Sequence, residues 1–271
     1  MVQQRSDEAL PALAAVAGSF GSHVGRALDR IAVVVANARE RGARMVVLPE
    51  CAVGGYMTGG DGIALDGPEI ERLAQIAGPT VVCAGFTEEG GYSSAVCVDG
   101  SGVLGHHRKV HVPPSELGHF TPGSTFKAFD TPVGRVGMLI CYDKVFPEAA
   151  RALALDGAEI VASLSAWPAC RYEPAKRIQQ DRQTRQFNLL DQARAVENQV
   201  VWVSSNVAGR AGALRFMGQA KVVDPDGRIL ARTGGKAGLA LARVDVRGAV
   251  SGARGFFAHL ADMVPAAYAT A

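Results

Sequence analysis

Cys141 closes an apolar run, Arg135 to Ile140, and is followed by Tyr142-Asp143 and then by Phe146-Pro147-Glu148 and Arg151. A free thiol with a pKa of about 8.5 is only a few per cent thiolate at neutral pH, so a nucleophilic cysteine needs a base or a cation beside it. Two other segments offer these groups. Leu48-Pro49-Glu50 carries a carboxylate, and His107-Arg108-Lys109-Val110-His111 carries an ammonium. Together the three carry the groups that a thiol hydrolase needs. Cys141 attacks an amide carbonyl or a nitrile carbon, Glu50 serves as base, and Lys109 and the backbone amide of Tyr142 meet the negative charge that develops. Glu50, protonated in the first step, then protonates the leaving nitrogen and activates water against a thioester.

Each residue alone has an ordinary reading. Cysteine is most often a buried small hydrophobe, Glu50 fits a cap, and Lys109 fits a solvated strand. Only the combination is specific. His107 and His111 flank Lys109 and share a face if that segment is a strand, which raises a metal site. No clustered carboxylate or cysteine completes a ligand set nearby in the sequence, so neither metal nor other cofactor is expected. Asp224-Pro225-Asp226-Gly227 reads as a hairpin turn and resembles a calcium loop only superficially. Asp143, Glu148 and Arg151 form either a salt-bridged set that holds the elbow or a group of substrate contacts. Arg171, Lys176, Arg177, Arg182 and Arg185 follow Trp167-Pro168 as a basic cluster, mostly a solvated helix face, from which one cation could reach a substrate carboxylate.

The elements that must position these groups follow from periodicity and punctuation. Val24 to Arg41 has helical spacing, with Gly42 after its last turn. Arg44 to Leu48 is a strand ending at Glu50. Thr80 to Phe86, Ser93 to Val98 and Val103 to Val112 read as an antiparallel meander, the last pair joined at Asp99-Gly100-Ser101-Gly102. Arg135 to Ile140 is a strand, Cys141 to Phe146 a tight connection, and Pro147 to Asp156 a helix with proline in its first turn. The thiol therefore stands where a strand hands over to a helix, a geometry that exposes a nucleophile. Glu159 to Ser165 and Val200 to Ser205 are further strands around a polar helix, Asp181 to Asn198. The stretch beyond Arg247 has no clear assignment.

With 271 residues, 48% of them hydrophobic, the chain has enough apolar content for one large core, and residues 1–271 are expected to form a single domain. The net charge of +2 is scattered, so no basic stripe offers itself to nucleic acid. The apolar stretch Leu10 to Phe20 is too short to span a bilayer, and no membrane anchor or secretion signal is expected. Five cysteines without short paired spacing fit a reducing cytoplasm.

Taken in order, the Glu50, Lys109 and Cys141 segments resemble the three catalytic segments of the nitrilase superfamily of carbon-nitrogen hydrolases. Supporting matches are Glu116 with Phe120, Pro122 and Gly123, the run Ala193 to Asn198, Asn206 with Gly209, and Asp224-Pro225 with Gly227. The resemblance spans about Leu13 to Asp245. It implies an α/β fold built as a four-layer alpha-beta-beta-alpha sandwich, a Glu50-Lys109-Cys141 triad supported by Glu116, and substrate-binding roles for Tyr56, Tyr142, Trp167 and Asn206. It also implies a homodimer or a larger even-numbered assembly. Tyr142-Asp143 is similar to amidase-type branches, which points to a small linear amide or N-carbamoyl substrate in preference to a nitrile. Acyl transfer and a catalytically idle ligand-binding protein are the rivals. The family usually has a glutamine after its first strand and an asparagine where Ser93 stands, so two polar groups are expected to be missing.

Overall fold

The structure, a computed structural model, describes residues 10–56 and 61–268. In chain order the first elements are β1 (Ala12–Ala17), α1 (Val24–Glu40), β2 (Ala43–Val47), α2 (Pro68–Ala77), β3 (Val81–Glu88), β4 (Tyr92–Asp99) and β5 (Gly102–Arg108). The middle comprises β6 (Ala128–Thr131), β7 (Gly134–Ile140), α3 (Pro147–Leu155), β8 (Ile160–Ser165), α4 (Arg182–Asn198) and β9 (Val201–Asn206). Five short strands follow, β10 (Ala208–Ala211), β11 (Leu214–Met217), β12 (Lys221–Val223), β13 (Ile229–Arg232) and β14 (Gly238–Arg243), and then α5 (Val246–Phe256). No helix among the described residues is long and apolar enough to cross a membrane.

The strands hydrogen-bond in the order β5-β4-β3-β2-β1-β9-β8-β7-β6. β1, β2 and β3 run parallel, as do β7, β8 and β9, while β3, β4 and β5 form an antiparallel meander. The two halves join where Ala17 pairs with Asn206. Side-chain alternation then sorts each strand between two cores. Leu13, Met45, Val47, Val81, Cys83 and Ala95 meet Val136, Met138, Ile140, Ile160, Ala162 and Val203 in a core between the two halves. The opposite faces pack outward. Ala14, Val46, Val82 and Val96 lie under α1 and α2, whereas Leu139, Val161 and Trp202 lie under α3 and the Ala195 turn of α4. Helix, sheet, sheet and helix therefore stack as the expected four layers.

Local chemistry explains the outer layers. In α1, Ala27, Leu28, Ile31, Val35 and Ala38 recur at helical spacing and are buried, and the His23 imidazole accepts the Arg26 amide at the start of the helix. Truncating a residue such as Ile31, fully buried here, costs roughly 2–5 kcal/mol. α4 is the exception. Its inward face carries Asp191, Arg194 and Asn198, which are all buried.

The Leu10 to Phe20 stretch contains the central strand β1, every residue of which is buried. Of the segment left unassigned beyond Arg247, the part up to Phe256 belongs to α5. Parallel strands place their carboxyl ends on one edge of a sheet, the edge where ligand sites of α/β proteins form. Glu50 follows β2, Cys141 follows β7, Ala166 follows β8 and Lys109 follows β5.

Candidate active site

The chain leaves β2 through Pro49 and turns sharply at Cys51, whose φ is +52°. Gly85 of β3 makes room for that turn. A Cβ there would lie 2.5 Å from the Cys51 nitrogen and 2.6 Å from the Glu50 Cα, so only glycine lets the Glu50 backbone rest on the strand. Cys141 also departs from ordinary backbone, with φ +50° in a residue that carries a Cβ, an arrangement that persists only when its surroundings enforce it.

Asp143 supplies that enforcement. Its carboxylate accepts the amides of Ile140 (3.1 Å), Val110 (3.2 Å) and His111 (2.8 Å), and also bonds His107 Nε2 (3.1 Å) and His111 Nδ1 (3.0 Å). Burial works against its charge, yet the bonds from His107 and His111 prevail and hold its pKa down at about 2. One carboxylate thus clamps the Cys141 elbow to both flanks of Lys109. Of the two readings left open for Asp143, Glu148 and Arg151, the mutual salt-bridge set does not form: Glu148 is exposed, and Arg151 Nη1 is buried without a described partner. The two histidines are occupied by Asp143, and among the described residues no three His, Cys, Asp or Glu gather as a metal-binding group.

Above this clamp the Lys109 ammonium, fully buried, sits 2.8 Å from Glu50 Oε1 and 2.6 Å from Glu116 Oε2. Burial disfavours its charge, but Glu50, Cys141 and Glu116 together outweigh that and raise its pKa above the ordinary lysine value. Lys109 therefore stays an ammonium. Glu116 is raised above the usual carboxylate range, first by burial and then by Glu50, with Lys109 opposing. The Tyr56 hydroxyl donates to Glu116 Oε1 at 2.6 Å. Ser93 donates to Glu50 Oε1 at 3.2 Å, so the polar group expected to be missing there is replaced by a shorter one.

The Ala166 amide donates to Glu50 Oε2 at 2.9 Å. Burial raises the Cys141 pKa well above that of a free thiol, Glu50 adds to the rise, and Lys109 and the Ala166 amide oppose it. A thiol that rests protonated beside a carboxylate suits proton transfer to that carboxylate at the moment of attack. Neither Ser93 nor Ala166 was legible as a site residue. Ser93 differs from the family pattern, and Ala166 acts through its backbone, which no residue type announces.

These groups open into a cavity of about 570 Å³, within the usual range for small-molecule sites. Tyr56, Glu116, Cys141, Tyr142 and Trp167 line it. Asn206 does not. It is fully buried behind the wall, where its Oδ1 accepts the Trp167 amide at 2.7 Å and its Nδ2 donates to the carbonyls of Trp167 and Gly218 at 3.2 and 2.9 Å. Its place is that of a brace for the Trp167 turn. Arg171 and Arg182, from the basic cluster, stand in the cavity lining.

Residues 13–253 match the sequence pattern of the carbon-nitrogen hydrolases. The chain belongs to that family. It is 29% identical to a probable nitrilase of Schizosaccharomyces pombe, covering 83% of this chain and 84% of the relative. It is 33% identical to an (R)-stereoselective amidase of a Pseudomonas species, covering 80% of this chain and 77% of that one. Among solved structures, a carbon-nitrogen hydrolase from Helicobacter pylori G27 superposes with a TM-score of 0.84 over 97% of this chain and 98% of its own, at 22% identity. The shared fold accounts for the layered sandwich.

Proposed function

We propose that the chain hydrolyses the carbon-nitrogen bond of a small linear amide or N-carbamoyl compound through a Cys141 thioester. The reading rests on one observation, a water-excluded ammonium held between two carboxylates beside a strained, buried thiol. Glu50 takes the thiol proton as sulfur bonds to the carbonyl carbon. The oxygen that gains charge is met by Lys109 and the Tyr142 amide, fixed donors in a dry site, which together are worth several kcal/mol. Glu50 returns the proton to the nitrogen, and ammonia or an amine leaves. Water, deprotonated by Glu50, then attacks the thioester, and the acid departs as the thiol is restored. Glu116 and Tyr56 hold Lys109 on its second side, which keeps the ammonium aimed while Glu50 changes charge.

Support for an amide over a nitrile comes from Tyr142, which follows the nucleophile and faces the cavity, and from the similarity to an amidase. The test is intact-mass detection of an acyl adduct in the wild-type protein, quenched with acid during turnover of matched amides and nitriles. An adduct on Cys141 formed from amides is the expected result. Turnover by a well-folded Cys141→Ala protein would refute the mechanism, and a nitrile processed much faster than its amide would overturn the substrate class alone.

A further inference from the structure

Behind the cavity wall the fold buries three charges that the cleavage scheme leaves unused. Lys144 belongs to the short 3-10 segment Cys141–Val145 that opens with the nucleophile, and its ammonium, shut off from water, reaches Asp191 of α4 at 2.8 Å. Lys221 of β12 bonds the other oxygen of the same carboxylate. The Lys144 ammonium also stands 5.4 Å from the centre of the Trp167 ring, and Trp167 lines the cavity together with Cys141. One indole therefore borders both the charged cluster and the cavity that holds the thiol.

The sum of the charges decides what the cluster does. One carboxylate neutralises one ammonium, so two protonated lysines on Asp191 leave one positive charge over. The surrounding elements do not cancel it. From α4, Arg194 donates to the carbonyls of Lys144 at 2.9 Å and Val145 at 2.8 Å, and from β9 the Trp202 indole donates to Asp191 at 2.9 Å. Asp143, on the segment of the nucleophile, is engaged by His107, His111 and three backbone amides. Among the described residues, no carboxylate other than Asp191 pairs with Lys144 or Lys221. A dry interior screens charge weakly, so the field of the remaining charge is felt at Cys141, at the head of the same segment. A cluster built for stability alone would not need this excess, since an apolar side chain could replace the second lysine at little or no cost.

We propose that Lys144 is a positioning residue for the nucleophile: held by Asp191 and left uncancelled because Lys221 shares that carboxylate, its ammonium sets a fixed positive charge behind Cys141 that favours the negative charge passing through sulfur and acyl oxygen during attack. The proposal rests on the Cys141 reading above. Glu50, Lys109 and Glu116 remain the stronger influences on the thiol, so the excess charge adjusts the rate and does not create it.

It is also a charge that the protein can lose. Burial brings the Lys144 pKa down to about 8, with Asp191 resisting and Lys221 adding to the fall. Lys221 is lowered too, by burial and, more weakly, by Arg232, again against Asp191. Lys109 and the Cys141 thiol are both raised, out of that range. As pH rises through about 8, Lys144 gives its proton to solvent, the cluster becomes neutral and its effect on the rate ends.

The experiment measures kcat/KM for one aliphatic amide from pH 6.5 to pH 10 in the wild-type protein, Lys144→Met and Lys221→Met. Alkylation of Cys141 by iodoacetamide, followed by peptide mass, is a second readout that needs no turnover. Lys144→Met should be slower than wild type by about fivefold at pH 6.5. The ratio should close toward one by pH 10, where the wild-type cluster is neutral as well. In Lys221→Met, Lys144 has Asp191 to itself, so the change in rate centred near pH 8 should move to higher pH. Alkylation should follow the same order with a smaller ratio, about twofold at pH 6.5, because a thiolate favoured by charge is also less nucleophilic. A ratio that stays constant across the range, or Lys144→Met as fast as wild type at pH 6.5, would overturn the proposal, since a purely structural prop has no reason to fade in alkali. If Lys144→Met does not fold, Lys221→Met decides, and an unmoved pH profile refutes the role of the charge. If no amide is cleaved and no acyl adduct forms on Cys141, the amidase reading fails, and the alkylation ratio alone decides the role of Lys144.

Discussion

The Lys144 ammonium lies 2.8 Å from the Asp191 carboxylate, and neither side chain reaches solvent. Lys221 bonds the other oxygen of Asp191, and Trp202 Nε1 donates to the first at 2.9 Å. Both ammonium groups also face the Phe187 ring, at 3.2 and 4.3 Å from its centroid. Two buried cations thus share one buried anion, directly beneath the segment that carries Cys141.

Removing the anion should be far worse than removing the whole cluster. Asp191→Leu leaves two ammonium groups buried without a counter-charge and should cost about 3–5 kcal/mol, whereas Lys144→Met/Asp191→Leu/Lys221→Met should fall near the wild-type stability or above it. Urea unfolding of the two proteins checks this. A triple variant as unstable as Asp191→Leu would show that the cluster contributes net stability.

The same cluster gives a pH dependence with a definite sign. Burial pulls the Lys144 pKa down from 10.5 to about 8, with Asp191 resisting and Lys221 adding to the fall. Between those two values the unfolded chain binds more protons than the folded one, so this group adds stability as pH rises from about 8 toward 10.5 and adds none below 8. Burial raises the Cys51 and Cys141 thiols, and the hydrogen bond with Cys83, followed by burial, raises Cys97; the contribution of all three runs the opposite way in alkali. A comparison with Lys144→Met cancels that background. From pH 7 to pH 10 the stability difference should move toward the wild type by roughly 2–3 kcal/mol, and an unchanged difference would place the lysine pKa near its free value.

Glu50 and Lys109 act through one proton and one developing charge, so Glu50→Gln and Lys109→Ala should each lower kcat by about 10³-fold or more, and the double variant should be little worse than either. Lys109→Ala also leaves Glu50 and Glu116 buried without their shared cation. Its melting temperature should drop, and adding Glu116→Gln should recover stability but not turnover. Chelation of divalent metal should leave the wild-type rate unchanged, and loss of activity that zinc restores would contradict the scheme. Additive losses of kcat would separate the roles of the two residues.

How far the site was legible depended on whether a residue announces itself by type and position. Glu50 and Cys141 follow apolar runs of strand length, punctuated by proline and by a helix start, and Lys109 stands in a loosely alternating stretch. Asp143 was seen, but its partners were misread, because His107 and His111 lie far away in sequence and reach it only once the meander has packed on the elbow. Lys144, Asp191 and Lys221 come from three separate segments, and α4 reads as a polar surface helix although its buried face is charged. β1 was hidden by composition, since an alanine-rich run buried on both faces has no period to detect.

The outer layer leads to the last expectation, that the protein is a homodimer or a larger even-numbered assembly. Leu155 at the end of α3 and Leu189 on α4 are 57% and 68% exposed, and Phe256 and Phe257 at the end of α5 are 82% and 60% exposed. The α5 end is held against α4: Gln199, just after α4, donates its side-chain amide to the carbonyls of Ala253 and Phe257 at 2.9 and 2.5 Å, and His259 Nδ1 bonds the Val196 carbonyl at 3.2 Å. Fixed aromatic and aliphatic side chains on one outer layer are what a self-complementary interface uses, and their exposure in a monomer carries a solvation cost that pairing removes. Light scattering at micromolar concentration should give twice the 28.3 kDa chain mass or an even multiple of it. Leu189→Glu combined with Phe256→Glu should shift the mass toward one chain while leaving the sheet core untouched. A wild-type protein that scatters as a strict monomer at that concentration would refute the assembly and leave the Cys141 chemistry unaffected.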